Sequence, residues 1–170
     1  LHSHPRASPQ APFPPPLPSP FLLLPPSPSS PKITVVLVGG FLLPPHHDFH
    51  LAYWGAALDP AAFPPSHYNI ICVHPGPIAS LHDRVCQIFY ELKGGRTNYG
   101  RGHSHKFGHA AMEEEEEDEG AGGREGLFPE WSAEHPVHLV GHSFGGMTVR
   151  LLLHYLEKKA FLGWEDTSPE

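Results

Sequence analysis

Ser143 lies between glycines in the run Gly141-His142-Ser143-Phe144-Gly145, followed by Gly146. An apolar, strand-like segment directly precedes this run and an amphipathic helical pattern directly follows it. A G-x-S-x-G pattern in that context marks a serine held on a sharp strand-to-helix turn, with its hydroxyl projecting from the end of a sheet. The glycines answer a steric need, because strand and helix pass close together on either side of such a turn. The chemistry this suits is nucleophilic attack by the Ser143 hydroxyl on a carbonyl carbon. The tetrahedral intermediate then needs backbone donors for its oxyanion. The amide of Phe144, in a first helical turn where N–H groups lack internal partners, is the expected first donor. The loop after the first strand should supply the second, and in Gly39-Gly40-Phe41 the amide of Phe41 is the choice. Losing one such donor typically costs ~3–4 kcal/mol of transition-state stabilisation.

A serine hydroxyl is a weak nucleophile until a histidine takes its proton and a carboxylate orients that histidine. In α/β-hydrolases these follow in the order serine, acid, histidine. His154 is about eleven residues along the helix after Ser143, hence ~16 Å away, too far to act as base. Glu165, Asp166 and Glu170 have no histidine after them. The triad is therefore expected to be incomplete here. The chain reads as the N-terminal part of a hydrolase domain that should not turn over substrate efficiently by itself.

The elements that position the serine are legible. Ile33-Thr34-Val35-Val36-Leu37-Val38 is a near-continuous β-branched run, as expected for a strand buried on both faces of a parallel sheet. Tyr68–Val73 and Pro136–Val140 are similar runs, and helical stretches between strands predict βαβ units in an α/β fold. Ser80 caps a helix, with Asp83 in the capping-box place. Leu81, Val85, Ile88, Phe89 and Leu92 follow at helical spacing, until Gly94-Gly95 stops the helix. After Ser143, Val149, Leu152, Leu153 and Leu156 predict one apolar stripe. Arg96–Glu130 reads as a long loop.

Composition divides the chain. Residues 1–31 hold twelve prolines and six serines and predict an extended, polyproline-like tail. It reads as a solvated linker, although Pro12–Pro18 could dock on an aromatic-groove module. A partial α/β-hydrolase domain is expected over 32–170, carrying an acidic, disordered insertion at about 112–126. Net charge is −7, but seven acids fall in the single run Glu113–Glu119. The remainder is close to neutral, which points away from nucleic acid and anionic membrane surfaces. No apolar run approaches the ~20 residues of a membrane span, and no signal peptide is visible. Cys72 and Cys86 are expected to stay unpaired.

The landmarks Tyr53-Trp54-Gly55, Asp83-Arg84, Gly94-Gly95-Arg96-Thr97-Asn98-Tyr99-Gly100, His103-Ser104-His105-Lys106-Phe107-Gly108-His109 and Leu127-Phe128-Pro129-Glu130-Trp131 occur in that order before the Ser143 motif. Together they resemble the large secreted lipases of staphylococci and thermophilic bacilli and their eukaryotic lipase-like relatives, over roughly residues 33–157. The resemblance implies a structural Zn²⁺ held by Asp83, His103 and His109, with a fourth ligand expected beyond residue 170. Imidazole nitrogen and carboxylate oxygen suit zinc. Without the resemblance, Asp83 reads as a cap and the histidines as exposed loop residues. His105 is expected to be a bystander, and Phe107 to pack against aromatic neighbours. His46, His47 and His50 read as surface residues. The usual His-Gly-Phe after the first strand is Gly39-Gly40-Phe41 here, a change expected to alter loop packing more than the Phe41 amide.

The resemblance implies hydrolysis of carboxylic esters of lipids, as by a triacylglycerol lipase or esterase, and secretion by analogy. A Ca²⁺ site would fall in the downstream part. Two other readings remain open: acyl transfer by the same serine, and a catalytically inactive, zinc-organised interaction protein whose working surfaces are the tail and the acidic loop.

Overall fold

The computed structural model describes residues 31–43, 53–113 and 124–162. Nearly all of the Pro/Ser-rich tail, His46, His47 and His50, the middle of the acidic insertion, and Glu165, Asp166 and Glu170 lie outside the described residues. The elements run β1 (Ile33–Val38), a 3₁₀ turn at Gly55–Leu58, β2 (Tyr68–Val73), α1 (Leu81–Lys93), α2 (Arg101–Phe107), β3 (Val137–Gly141), α3 (Phe144–Glu157) and a 3₁₀ turn at Ala160–Leu162. The three strands are parallel in the order β2-β1-β3.

The central position of β1 explains its composition. Val36, Leu37 and Val38 are all buried, and both edges of this strand are paired, although the sheet face away from the helices is only partly covered, with Val140 beside Leu37 45% exposed. Val36, Val38, Ile71 and Val73 on one sheet face meet Val85, Ile88 and Leu92 of α1 and Leu152 of α3. The expected α1 stripe thus forms the core contact, with Phe89 packed at its margin. The α3 stripe is narrower than expected: Leu152 is fully buried but Leu153 is 52% exposed. One position along a helix rotates the side chain by about 100°, enough to leave the buried face.

Register sets the stage for the site. Val38 pairs with both Val73 and Gly141, so all three strands end level. The segments that follow them therefore gather at the carboxyl edge of the sheet, the usual place for ligands in open α/β sheets. The turn into α1 follows the sequence expectation: the Ser80 hydroxyl accepts from the Asp83 amide, and Gly94 ends the helix at φ 89°.

The described parts of the segment, Arg96–Glu113 and Arg124–Glu130, are more ordered than a loop reading predicts. They contain α2, with bridges Gly95–Arg124 and Asn98–Met112 on either side of the acidic run. The Arg124 guanidinium meets the Glu113 carboxylate at 2.9 Å and the Thr97 hydroxyl at 3.1 Å. The seven residues of α2, Arg-Gly-His-Ser-His-Lys-Phe, carry no apolar stripe, so periodicity gives no sign of the helix.

Candidate functional site

Ser143 stands at the junction of β3 and α3 with φ 56° and ψ −126°, a conformation that ordinarily costs a non-glycine residue about 1–3 kcal/mol. The surroundings enforce it. A Cβ on Gly145 would lie 2.0 Å from the Val38 carbonyl oxygen, and one on Gly141 would lie 2.6 Å from the Gly145 backbone. Strand, turn and helix can approach this closely only because both flanking positions lack side chains. The His142 amide donates to the Val38 carbonyl at 3.1 Å, tying the turn to the end of β1. Ser143 itself is exposed.

The loop after β1 borders the serine. A Cβ at Gly40 would fall 3.2 Å from the Ser143 Cβ and 3.4 Å from its Oγ. Phe41 and Phe144 meet edge to face, with ring centroids 5.7 Å apart, so the two residues chosen as amide donors share one corner of the sheet edge. The Gly40 amide donates to the Tyr53 hydroxyl at 3.2 Å, and that hydroxyl also meets His142 Nδ1. A tyrosine thereby joins the loop after β1 to the turn carrying Ser143. At Gly39, a Cβ would lie 2.4 Å from the Leu43 side chain. Buried Leu43 fills the space beside Gly39, the position where the resemblance would place a histidine.

Beneath the loop lies Arg84, 1% exposed. Its guanidinium donates to the carbonyls of Gly39, Gly40 and Gly76 at 2.8, 3.2 and 3.0 Å and to the Thr148 hydroxyl at 3.4 Å. Burial pushes this group below its ordinary pKa, opposed by Tyr53. Tyr53 and Arg84 are parts of the site that residue chemistry alone does not announce. The available signal was position: Arg84 precedes Ile88 by four and so lies on the apolar face of its helix.

A second cluster occupies the first turn of α1. Asp83 divides its carboxylate between two tasks: Oδ2 accepts from the Ser80 hydroxyl at 2.7 Å, whereas Oδ1 is buried without a hydrogen-bond partner. Oδ1 instead faces His103 Nε2 at 3.1 Å and His109 Nε2 at 3.8 Å. Capping and ligation are therefore compatible roles for one residue. Two donors at about 2.0–2.1 Å from a tetrahedral zinc lie roughly 3.3 Å apart, a spacing that His103 meets and that His109 exceeds by about half an ångström. His109 Nδ1 bonds the Ala110 carbonyl at 2.8 Å, so it carries the proton and leaves the Nε2 lone pair toward Asp83. Burial, with His82 alongside, holds the His103 imidazole below its ordinary value and favours the neutral, ligating form.

The six-residue spacing of these histidines is met by helix and turn rather than by loop alone. His103 lies within α2, and Gly108, left-handed at φ 75°, reverses the chain so that His109 returns beside it. His105 points outward and is exposed. Phe107 contacts the His103 ring at 4.5 Å but remains 61% exposed. Among the described residues, the ligand atoms that lie mutually close enough to share a metal ion are those of Asp83, His103 and His82, with His109 outside that group. The hydrogen bonds of His82 argue against it as a ligand: Nε2 meets the Tyr99 carbonyl and Nδ1 the Tyr155 hydroxyl, both at 2.8 Å. Both ring nitrogens are thus used. A cavity of about 380 Å³ opens beside Asp83 and His109, with Gln87, Tyr99 and Glu113 among its walls.

His154 sits in the last turn of α3, at the far end of that helix from Ser143. Cys72 and Cys86 are both free thiols. No helix among the described residues is long and apolar enough to cross a membrane.

Residues 48–161 match the sequence profile of the family described as lipase-like, C-terminal domain. A lipase of Staphylococcus hyicus is 46% identical over 79 residues, covering 46% of this chain and 11% of that protein. Lipase 2 of Staphylococcus aureus is 36% identical over 89 residues, covering 52% of this chain and 12% of that one. Among solved structures, S. hyicus lipase superimposes with a TM-score of 0.61 at 30% identity, over 85% of this chain and 38% of the other. EstA from Clostridium botulinum gives a TM-score of 0.62 at 30% identity, over 82% and 32%. The chain thus spans about a tenth of the length of these staphylococcal relatives and about a third of the solved structures it matches.

Proposed function

Because the chain belongs to the family of lipase-like C-terminal domains and carries part of an α/β-hydrolase fold, we propose that it is the nucleophile-bearing part of a serine hydrolase that cleaves carboxylic esters of lipids. The observation that carries this reading is the backbone of Ser143, φ 56° and ψ −126° between two glycines that could not bear a side chain. A turn that costs free energy to make, and leaves a hydroxyl exposed at the carboxyl edge of the sheet, fits a nucleophile better than a connection.

In this reading the Ser143 Oγ attacks the ester carbonyl carbon, and its proton passes to a histidine. The negative charge that develops on the carbonyl oxygen is met by the amides of Phe41 and Phe144. Collapse of the tetrahedral intermediate expels the alcohol, protonated by the same histidine, and leaves an acyl group on Ser143. Water then removes the acyl group by the reverse sequence of proton transfers. The histidine and its orienting acid follow the serine in chain order in this fold. Activity is therefore best assayed on the longest natural form of the protein. Hydrolysis of p-nitrophenyl butyrate and of a long-chain acylglycerol should be lost in Ser143→Ala. Undiminished hydrolysis by that variant would remove Ser143 from the chemistry.

The second part of the proposal is a structural Zn²⁺ at Asp83, His103 and His109. Support comes from the orphaned, buried Asp83 Oδ1 and the two imidazole nitrogens aimed at it. When bound, the ion would supply a cross-link between the start of α1 and the segment around α2, rather than chemistry on the substrate.

A further inference from the structure

We propose that Arg84 is a positioning residue for the oxyanion hole, aiming the Phe41 amide by holding the carbonyl of its own peptide, Gly40–Phe41, and that of the peptide before it, Gly39–Gly40. The inference rests on Ser143 being the nucleophile and adds a residue that neither touches substrate nor belongs to the triad.

Arg84 is buried, and among the described residues it makes no ion pair with a carboxylate. A buried cation is expensive unless its donors are satisfied. Here the partners are backbone carbonyls from the loops after β1 and β2, together with Thr148, whose hydroxyl in turn donates to the Phe144 carbonyl at 3.1 Å. One guanidinium therefore fastens the loop carrying Phe41 to the first turn of the helix carrying Phe144. A planar fork of fixed N–H directions suits this better than a point charge would.

Peptide geometry turns these contacts into a direction. In a trans peptide the C=O and N–H point opposite ways, and the described residues include no cis bond. The Gly39–Gly40 peptide shows the effect: its carbonyl accepts from Arg84 at 2.8 Å, and its N–H donates away from Arg84 to the Tyr53 hydroxyl. The next peptide, Gly40–Phe41, presents its carbonyl to the same Nη2 at 3.2 Å. The Phe41 N–H is thereby turned away from the guanidinium, in a peptide whose Gly40 Cα borders Ser143. Two successive glycines would otherwise let this peptide flip at little cost. A flipped peptide would present a carbonyl oxygen where a developing oxyanion needs a donor.

The test uses the longest natural form of the protein, comparing wild type, Arg84→Met, Arg84→Lys and Ser143→Ala. The readouts are kcat and KM on p-nitrophenyl butyrate, inhibition by an alkylboronic acid that becomes tetrahedral on the serine, and thermal melting. Arg84→Met should lower kcat by about 100-fold, the loss of one oxyanion donor, with KM little changed. Boronate affinity should fall in step with kcat, and Arg84→Lys should be intermediate in both. A purely structural arginine would instead lower the melting temperature while leaving kcat and boronate affinity of the folded enzyme intact, and that result overturns the proposal. Failure of both Arg84 variants to fold also overturns it, by making the residue a requirement of folding. If Ser143→Ala keeps full activity, the nucleophile assignment fails first. If Ser143→Ala is inactive and the Arg84 variants match wild type, only the role of Arg84 is lost.

Discussion

The ring of His82 lies face to face on that of His103, with centroids 3.6 Å apart and planes within 15°. His82 also bonds Tyr155 on α3 and the Tyr99 carbonyl before α2. It therefore links the proposed metal site to α3, the helix that follows Ser143. Removing this stacked support should let the His103 ring turn and so weaken metal binding. His82→Ala should show weaker zinc binding in titrations, together with a lower melting temperature. Unchanged zinc affinity would reduce His82 to a packing residue.

Zinc itself should be measurable apart from activity. Chelation should lower the melting temperature, and stoichiometric zinc should restore it. His103→Ala and His109→Ala should abolish that response, whereas His105→Ala should leave it intact, because His105, two residues on from His103 in α2, lies about 200° around the helix from it. Retention of one zinc by both His103→Ala and His109→Ala would remove these residues from the site.

The glycines of the turn make a graded prediction. Gly145→Ala drives a methyl to 2.0 Å from the Val38 carbonyl oxygen, which is backbone and cannot swing aside. It should destabilise by at least the about 1–3 kcal/mol of ordinary overpacking. Gly146→Ala meets nothing nearer than 3.7 Å and lies in a helix, where alanine gains up to ~1 kcal/mol over glycine. Denaturant unfolding of the two variants should move in opposite directions. Equal stabilities would mean the turn is looser than described.

How much of this was legible from residue order depends on the type of interaction. The strands of the sheet and the capped α1 were readable, since burial in a parallel sheet demands apolar runs and a helix start demands a cap. The Ser143 turn was readable because its G-x-S-x-G run falls directly between an apolar strand and an amphipathic helix. Helix α2 was not, because Arg101–Phe107 is polar on every face and its place is set by Gly108 and by His103 meeting Asp83. The roles of Arg84 and Tyr53 were likewise hidden. Both act on backbone groups of Gly39 and Gly40, and a hydrogen bond to a carbonyl or amide leaves no mark on the partner's residue type.

The two thiols give a further check. Burial, reinforced by Asp83, pushes the Cys86 thiol well above its ordinary value. Burial, reinforced by Glu91, does the same for Cys72 to a lesser degree. The thiolate is the nucleophile, so a raised pKa means slow alkylation at pH 8. Iodoacetamide should modify Cys86 only after unfolding by guanidinium. Fast labelling of the native protein would place that residue outside the core.

The central claim, that Ser143 is an activated nucleophile, is tested most directly by a fluorophosphonate probe on the longest natural form, with peptide mass spectrometry to locate the adduct. A single adduct is expected on Ser143, absent from Ser143→Ala and from heat-denatured protein. Labelling that persists in Ser143→Ala, or that falls on another residue of the wild type, would contradict it.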